Sequence, residues 1–305
     1  MTTRALVLGG GGPVGIAWEA GLAAGLKEGG VDLAKADYIL GTSAGSFVGS
    51  QLAAGRDAQA MTDAILAEAQ RGKSAADSGE PPASGGARTS SGPTNMMTLM
   101  KLMQEAASGQ RSGEEVRKEL GAFALGAQTV DEETFIRSFG RSLSEGGQGA
   151  WPEHHFACTA VDTATGEFQV WDNSTGVPLA KAVASSCSVP GVYPPITING
   201  KRYMDGGMRS GTNADLAKGH DKVILVAVRI GAGDPAALER SKAALDKEIK
   251  VLTDSGAEVE VITPDEASAA AFGNNLMNAR VRPAAAQAGL EQGRALAAKL
   301  KAFWG

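Results

Sequence analysis

An α/β fold on a mainly parallel sheet is what this sequence predicts, and three observations predict it. Short apolar runs alternate along the chain with longer alanine-rich or amphipathic stretches. Two glycine clusters, Gly9 to Gly15 and Gly41 to Gly45, stand where an apolar run gives way to a helical pattern. With 305 residues, 43% of them hydrophobic, the chain can bury one large core. Alternation of this kind argues for strands joined by crossover helices, hence for parallel pairing.

Taken in order, Arg4 to Leu8 reads as a short buried strand, and residues 16 to 28 as a helix with Ile16, Ala20, Ala23, Ala24 and Leu26 along it. Lys35 to Leu40 leads into a second strand. Ala44 to Ala54 and Ala58 to Gln70 read as helices. From Arg71 to Asn95 the chain is rich in Gly, Ser, Pro and Ala and nearly free of large apolar side chains. Such a stretch offsets little of its ordering entropy, so a mobile loop or lid is expected there. Met96 to Met103 reads as a short methionine-rich helix, adaptable to an irregular apolar site or to ordinary core packing.

Residues 111 to 140 read as one or two helices. Strands follow at His155 to Val161 and Glu167 to Trp171, around a turn at Thr163 to Gly166. Leu179 to Ser186 reads as a helix ending before Pro190. Ile196 to Ile198 and Arg202 to Met204 flank Asn199-Gly200, a two-residue hairpin signal. Lys222 to Val228 and Glu258 to Ile262 read as strands, with a helix at Pro235 to Thr253 between them and a final helix from Ala284 to Phe303. A single domain over residues 1–305 is expected, with 71–95 as a flexible loop or lid within it.

The net charge of −5 gives no basic field to attract nucleic acid, and no nucleic-acid partner is expected. Cys158 and Cys187 lie in no metal-ligand spacing with the three histidines and read as small buried hydrophobes. The N-terminal apolar run is too short for a signal peptide, and no stretch is long enough to span a bilayer. A cytoplasmic protein is expected, with peripheral membrane contact left open.

The chemistry resides in three motifs. Gly9-Gly10-Gly11-Gly12-Pro13-Val14-Gly15 follows a strand and opens a helix. Gly10, Gly12 and Gly15 fit a dinucleotide fingerprint with Asp32 beyond them. The same amides fit an oxyanion hole equally well, and a tight strand-to-helix turn that binds nothing fits too. Gly41-Thr42-Ser43-Ala44-Gly45 has the G-x-S-x-G form between strand and helix that a nucleophile elbow requires. Its glycines, Gly41 and Gly45, remove side chains that would collide in a sharp turn. A serine nucleophile needs a proton acceptor. His154, His155 and His220 each precede a strand and so belong at the opposite edge of the sheet. Asp205, in Met204-Asp205-Gly206-Gly207, ends the hairpin and is better placed. Held against the hydroxyl and desolvated, an aspartate can act as base.

These motifs in this order, with the serine so near the N-terminus, resemble the patatin-like phospholipases. The block from Ser185 to Pro195 is similar to the small-residue and proline segment that such proteins carry before their aspartate. The resemblance covers about residues 4 to 230. It implies a three-layer α/β/α fold and a Ser–Asp dyad without histidine. Ser43 would be the nucleophile, Asp205 the base, and the amides of Gly10, Gly11 and Gly12 the oxyanion hole. The implied substrate is a lipid or other carboxylic ester, with no metal or organic cofactor. One departure is Val14, where the family often has Arg or Lys. A nucleotide-binding oxidoreductase and a catalytically silent scaffold of the same fold are the alternatives.

Overall fold

The computed structural model describes residues 2–78, 93–107, 110–144, 150–228 and 235–305. A parallel core of five strands runs β3 (Phe156–Asp162), β2 (Tyr38–Gly41), β1 (Arg4–Leu8), β7 (Lys222–Val226) and β8 (Glu258–Ile262). Beyond β3 the sheet turns antiparallel. There β4 (Phe168–Trp171) and β6 (Lys201–Asp205) both pair with β3, and β5 (Ile196–Ile198) closes the edge against β6. Asn199 and Gly200, both at positive φ, make the β5–β6 turn as the sequence predicts.

Side-chain alternation on the strands divides the core. Leu6 and Leu8 of β1 face one way, Ala5 and Val7 the other, and all four are buried. The Leu6 face carries α1 (Gly12–Glu28), α2 (Ala44–Ala53), α7 (Leu179–Ser186) and α10 (Arg282–Trp304). The Val7 face carries α8 (Pro235–Asp254) and the segment around Ala214 and Ala217. A third cluster joins Leu99 and Leu102 of α4 (Pro93–Ala107) and Val116 and Leu120 of α5 (Gly113–Gly126) to Val161 and Met204. The architecture is three-layered, α/β/α.

The methionine-rich helix is thus seated beside Met204, next to Asp205. Leu99 and Leu102 provide its buried contacts, while Met97 is 71% exposed.

Several elements differ from expectation. The first helix begins at Gly12, inside the glycine cluster, because Pro13 in its first turn is already shaped for a helix. Leu33–Lys35 forms a turn of 3₁₀ helix with the Asp32 side chain accepting from the Ala34 amide, so β2 starts only at Tyr38. The helix α3 (Ala58–Ser78) runs eight residues into the expected loop. Alanine and lysine there favour a helix. The rest of the expected lid, residues 79–92, lies outside the described residues. Helix α6 (Glu132–Ser144) makes the expected second helix after α5, whereas α9 (Glu266–Phe272) carried no sequence expectation.

Helices α1 and α10 meet backbone to backbone. A methyl group placed on Gly25 would lie 2.1 Å from the Leu290 carbonyl oxygen, and one on Gly289 would lie 2.2 Å from that of Trp18. Gly21 and Gly293 are as tightly covered, so glycines four apart on each helix line one seam. At its centre the Trp18 indole donates to Ser268 Oγ and Gln292 Oε1, each at 3.1 Å. Gly25→Ala is expected to lose at least about 1–3 kcal/mol, as overpacking typically does, read by chemical denaturation. Wild-type stability in that variant would mean the two backbones do not touch.

Candidate active site

Adjacent parallel strands place two turns side by side. Leu8 pairs with Gly41, so β1 and β2 end level and both chains turn into helices at the same edge. The Thr42 amide donates to the Leu8 carbonyl and the Gly45 amide to the Gly9 carbonyl, each at 3.0 Å. A side chain on Gly45 would lie 2.1 Å from the Leu8 oxygen, and one on Gly41 would lie 2.4 Å from the Ser46 Cα. Only glycine fits at either place.

Between them Ser43 sits at φ 52° and ψ −117°. A non-glycine residue in such a region costs roughly 1–3 kcal/mol and persists only where its surroundings hold it. Three side chains do so. The Ser43 amide donates to Ser186 Oγ at 3.0 Å. Its carbonyl accepts from Ser46 Oγ at 2.6 Å and from Cys187 Sγ at 3.1 Å. The residue is 7% exposed.

Asp205 ends β6 opposite Ala160, on the far side of β3 from Ser43. It is 2% exposed. Its Oδ1 accepts from the Gly207 amide at 2.7 Å, and its amide donates to the Ser188 carbonyl at 3.0 Å. Oδ2 is buried and forms no closed hydrogen bond. Burial pushes the carboxyl up to about 7; the nearby Ser43 hydroxyl and the Gly207 amide favour its ionised form and oppose that rise.

The glycine loop lies against the serine. A methyl group on Gly10 would come 3.3 Å from Ser43 Cβ. The Gly10 amide itself is already committed, donating to the Gly211 carbonyl at 2.8 Å. Among the described residues, no acceptor takes the Gly11 or Gly12 amide, and Gly12 holds φ +57°. Val14 is wholly buried in the core, where a cation would have to be desolvated.

The remaining candidates fall elsewhere. Asp32 lies beyond the C-terminus of α1, before β2 begins, so the dinucleotide fingerprint lacks an acid at the carboxyl edge of the sheet. His155 and His220 flank Tyr38 at the opposite edge, with ring centroids 5.6 and 5.3 Å from it. Cys158 and Cys187 are both buried and unpaired in any disulfide. No three His, Cys, Asp or Glu side chains gather as a metal site among the described residues. Nor is any described helix long and apolar enough to cross a membrane. Sequence reasoning missed Ser186, Cys187 and Ser46 as supports of Ser43. Their sequence signal was no more than a run of small residues.

No curated protein matches the sequence. Among solved structures, VipD from Legionella pneumophila is 16% identical with a TM-score of 0.45, covering 98% of this chain and 67% of its own. The type III effector protein ExoU is 16% identical with a TM-score of 0.40, covering 98% of this chain and 53% of its own. The patatin-like phospholipase family matches residues 6–218. That match takes in both turns and the end of β6, and on it the chain belongs to the patatin-like phospholipase family.

Proposed function

We propose that the protein is a serine acyl hydrolase acting on lipid or other carboxylic esters through Ser43 and Asp205. The observation that carries this reading is the strained Ser43 beside a buried carboxylate whose Oδ2 has no bonded partner. In the reading, ionised Asp205 takes the Ser43 proton as the hydroxyl oxygen attacks the ester carbonyl. The Gly11 and Gly12 amides receive the developing oxyanion, and Gly10 keeps the loop close to the serine. Protonated Asp205 then gives its proton to the departing alcohol. Water, deprotonated by Asp205, attacks the acyl-enzyme; the carboxylic acid leaves, and the Ser43 oxygen recovers its proton. These steps draw on no metal or organic cofactor.

Two features support the role of Asp205. A base with a proton affinity near neutrality suits the operating pH of a hydrolase. Its desolvation also explains how a carboxylate, ordinarily too weak a base, could serve without histidine. Membership of the family favours a lipid as the ester. The seat of α4 beside Met204 supports a part for that helix near an acyl chain.

Hydrolysis of p-nitrophenyl esters of graded chain length tests the assignment. Ser43→Ala and Asp205→Asn should both fall to background while circular dichroism shows an intact fold. A Ser43→Ala enzyme that keeps its rate would end the proposal. A folded but inactive wild type that labels with a fluorophosphonate at Ser43 would redirect the search to another ester.

The pH dependence has a definite sign. Activity needs ionised Asp205, so kcat/KM should climb through a midpoint near pH 7. Stability runs the other way. Because the folded carboxyl titrates above its ordinary value, its ionisation opposes folding as pH rises from about 4 to about 7, and the penalty is full above that. Asp205→Asn should therefore be more stable than wild type above pH 7, by a few kcal/mol in order of magnitude. The gap should close towards pH 4. Glu19, also buried with both oxygens unbonded, is present in both proteins and cancels from the comparison. A gap that does not change with pH would show that Asp205 is not desolvated.

A further inference from the structure

After Asp205 the chain crosses the sheet face beneath the elbow, and at its centre lies Asn213. This residue is fully buried and held at φ 52°. Its Nδ2 lies 2.9 Å from the Ser210 carbonyl, 3.0 Å from Thr42 Oγ1, 3.3 Å from the Gly206 carbonyl and 3.4 Å from Thr159 Oγ1. Its Oδ1 accepts from Arg209 Nη1 at 2.9 Å. Carbonyls only accept and a guanidinium only donates, so these neighbours fix which end of the amide points where.

Those partners belong to both halves of the proposed dyad. Thr42 immediately precedes Ser43 in the elbow. Gly206 immediately follows Asp205. Thr159 lies on β3, the strand between them, and its hydroxyl meets that of Thr42 at 3.0 Å. The same segment also reaches the glycine loop, since the Gly211 carbonyl takes the Gly10 amide at 2.8 Å.

The crossing segment is in turn anchored from the outer layer. Glu248 of α8 accepts from the Ala214 amide at 2.9 Å and from the Thr212 hydroxyl. Arg209 is forked onto Asp215 at 2.9 and 2.7 Å while its guanidinium stacks over Phe168. A left-handed asparagine is tolerated in folded proteins, but burying one with its amide shared among four acceptors is a demanding arrangement.

We propose that Asn213 is the positioning residue of the site: its side-chain amide ties the elbow at Thr42 to the turn at Gly206 and so fixes the separation of Ser43 and Asp205. This rests on the Ser43–Asp205 reading above. The residue touches neither reacting atom; it acts through the backbone on either side of them.

Asn213→Gly separates side chain from backbone, because glycine adopts φ 52° freely while losing the amide. In p-nitrophenyl ester hydrolysis, that variant should keep its KM and lose about 100-fold in kcat, the scale of a misplacement near 1 Å. Loosening the turn at Gly206 should admit water to Asp205, so the acid-limb midpoint should move down from near pH 7 towards the ordinary carboxylate range. A purely structural role would lower the melting temperature without moving that midpoint. Wild-type kcat and midpoint in a folded Asn213→Gly protein would overturn the proposal.

Should Asn213→Gly fail to fold, Thr42→Val removes the elbow's acceptor, along with the Thr42 bond to the Thr212 carbonyl, and leaves Asn213 itself in place. The same selective loss of kcat is expected there, and unchanged kcat would overturn the proposal. Ser43→Ala run alongside keeps the two readings apart. If it is active, the hydrolase reading fails; if it is dead while Asn213→Gly runs at full rate, positioning by Asn213 alone fails.

Discussion

The backbone of Ser43 occupies a region of dihedral space that an L-residue leaves unless prevented. Most of what surrounds it prevents this. The level ends of β1 and β2 set the two turns against each other, and the absent side chains of Gly41 and Gly45 let them come within contact. The amide and carbonyl of Ser43 are then held by Ser186, Cys187 and Ser46. Relaxing any one of these would let the turn slacken towards an ordinary helix cap. The hydroxyl would then rotate off the edge where the glycine loop waits.

Asp205, the proposed base, shows the opposite pattern of contacts. Ser43 is over-determined, whereas Asp205 is under-satisfied, with one oxygen bonded to Gly207 and the other left open in an apolar setting. Glu19 shows that burial alone does not make a base. It too is buried and unbonded, and burial holds it well above the usual carboxylate range. What distinguishes Asp205 is the serine hydroxyl within its reach.

The parts legible in sequence were those that local sterics dictate. G-x-S-x-G, D-G-G and Asn199-Gly200 each state a backbone requirement within a few residues, and each is read wherever it occurs. Alternating strands and helices gave the layers. What stayed hidden depends on distance along the chain or on direction in space. Ser186 meets the Ser43 amide across 143 residues, and Asn213 meets Thr42 across 171. No spacing announces either. That Gly10 turns its amide towards Gly211 is a matter of orientation that composition cannot carry. Arg71 to Ser78 misled because low hydrophobicity reports on burial, not on the helical preference of alanine and lysine. The glycines of α1 and α10 form no motif along the chain, and their purpose appears only when the helices are side by side.

That seam has a consequence for biosynthesis. The helix that opens with the glycine loop is finished at Glu28, but its partner begins at Arg282. At roughly 5–20 residues per second, a ribosome leaves tens of seconds between the two. Throughout that interval a nascent chain carries the elbow and, later, the aspartate, yet its first helix has a bare face where backbone should meet backbone. The packing that seats α1 against its neighbour is therefore completed only after α10 has been made.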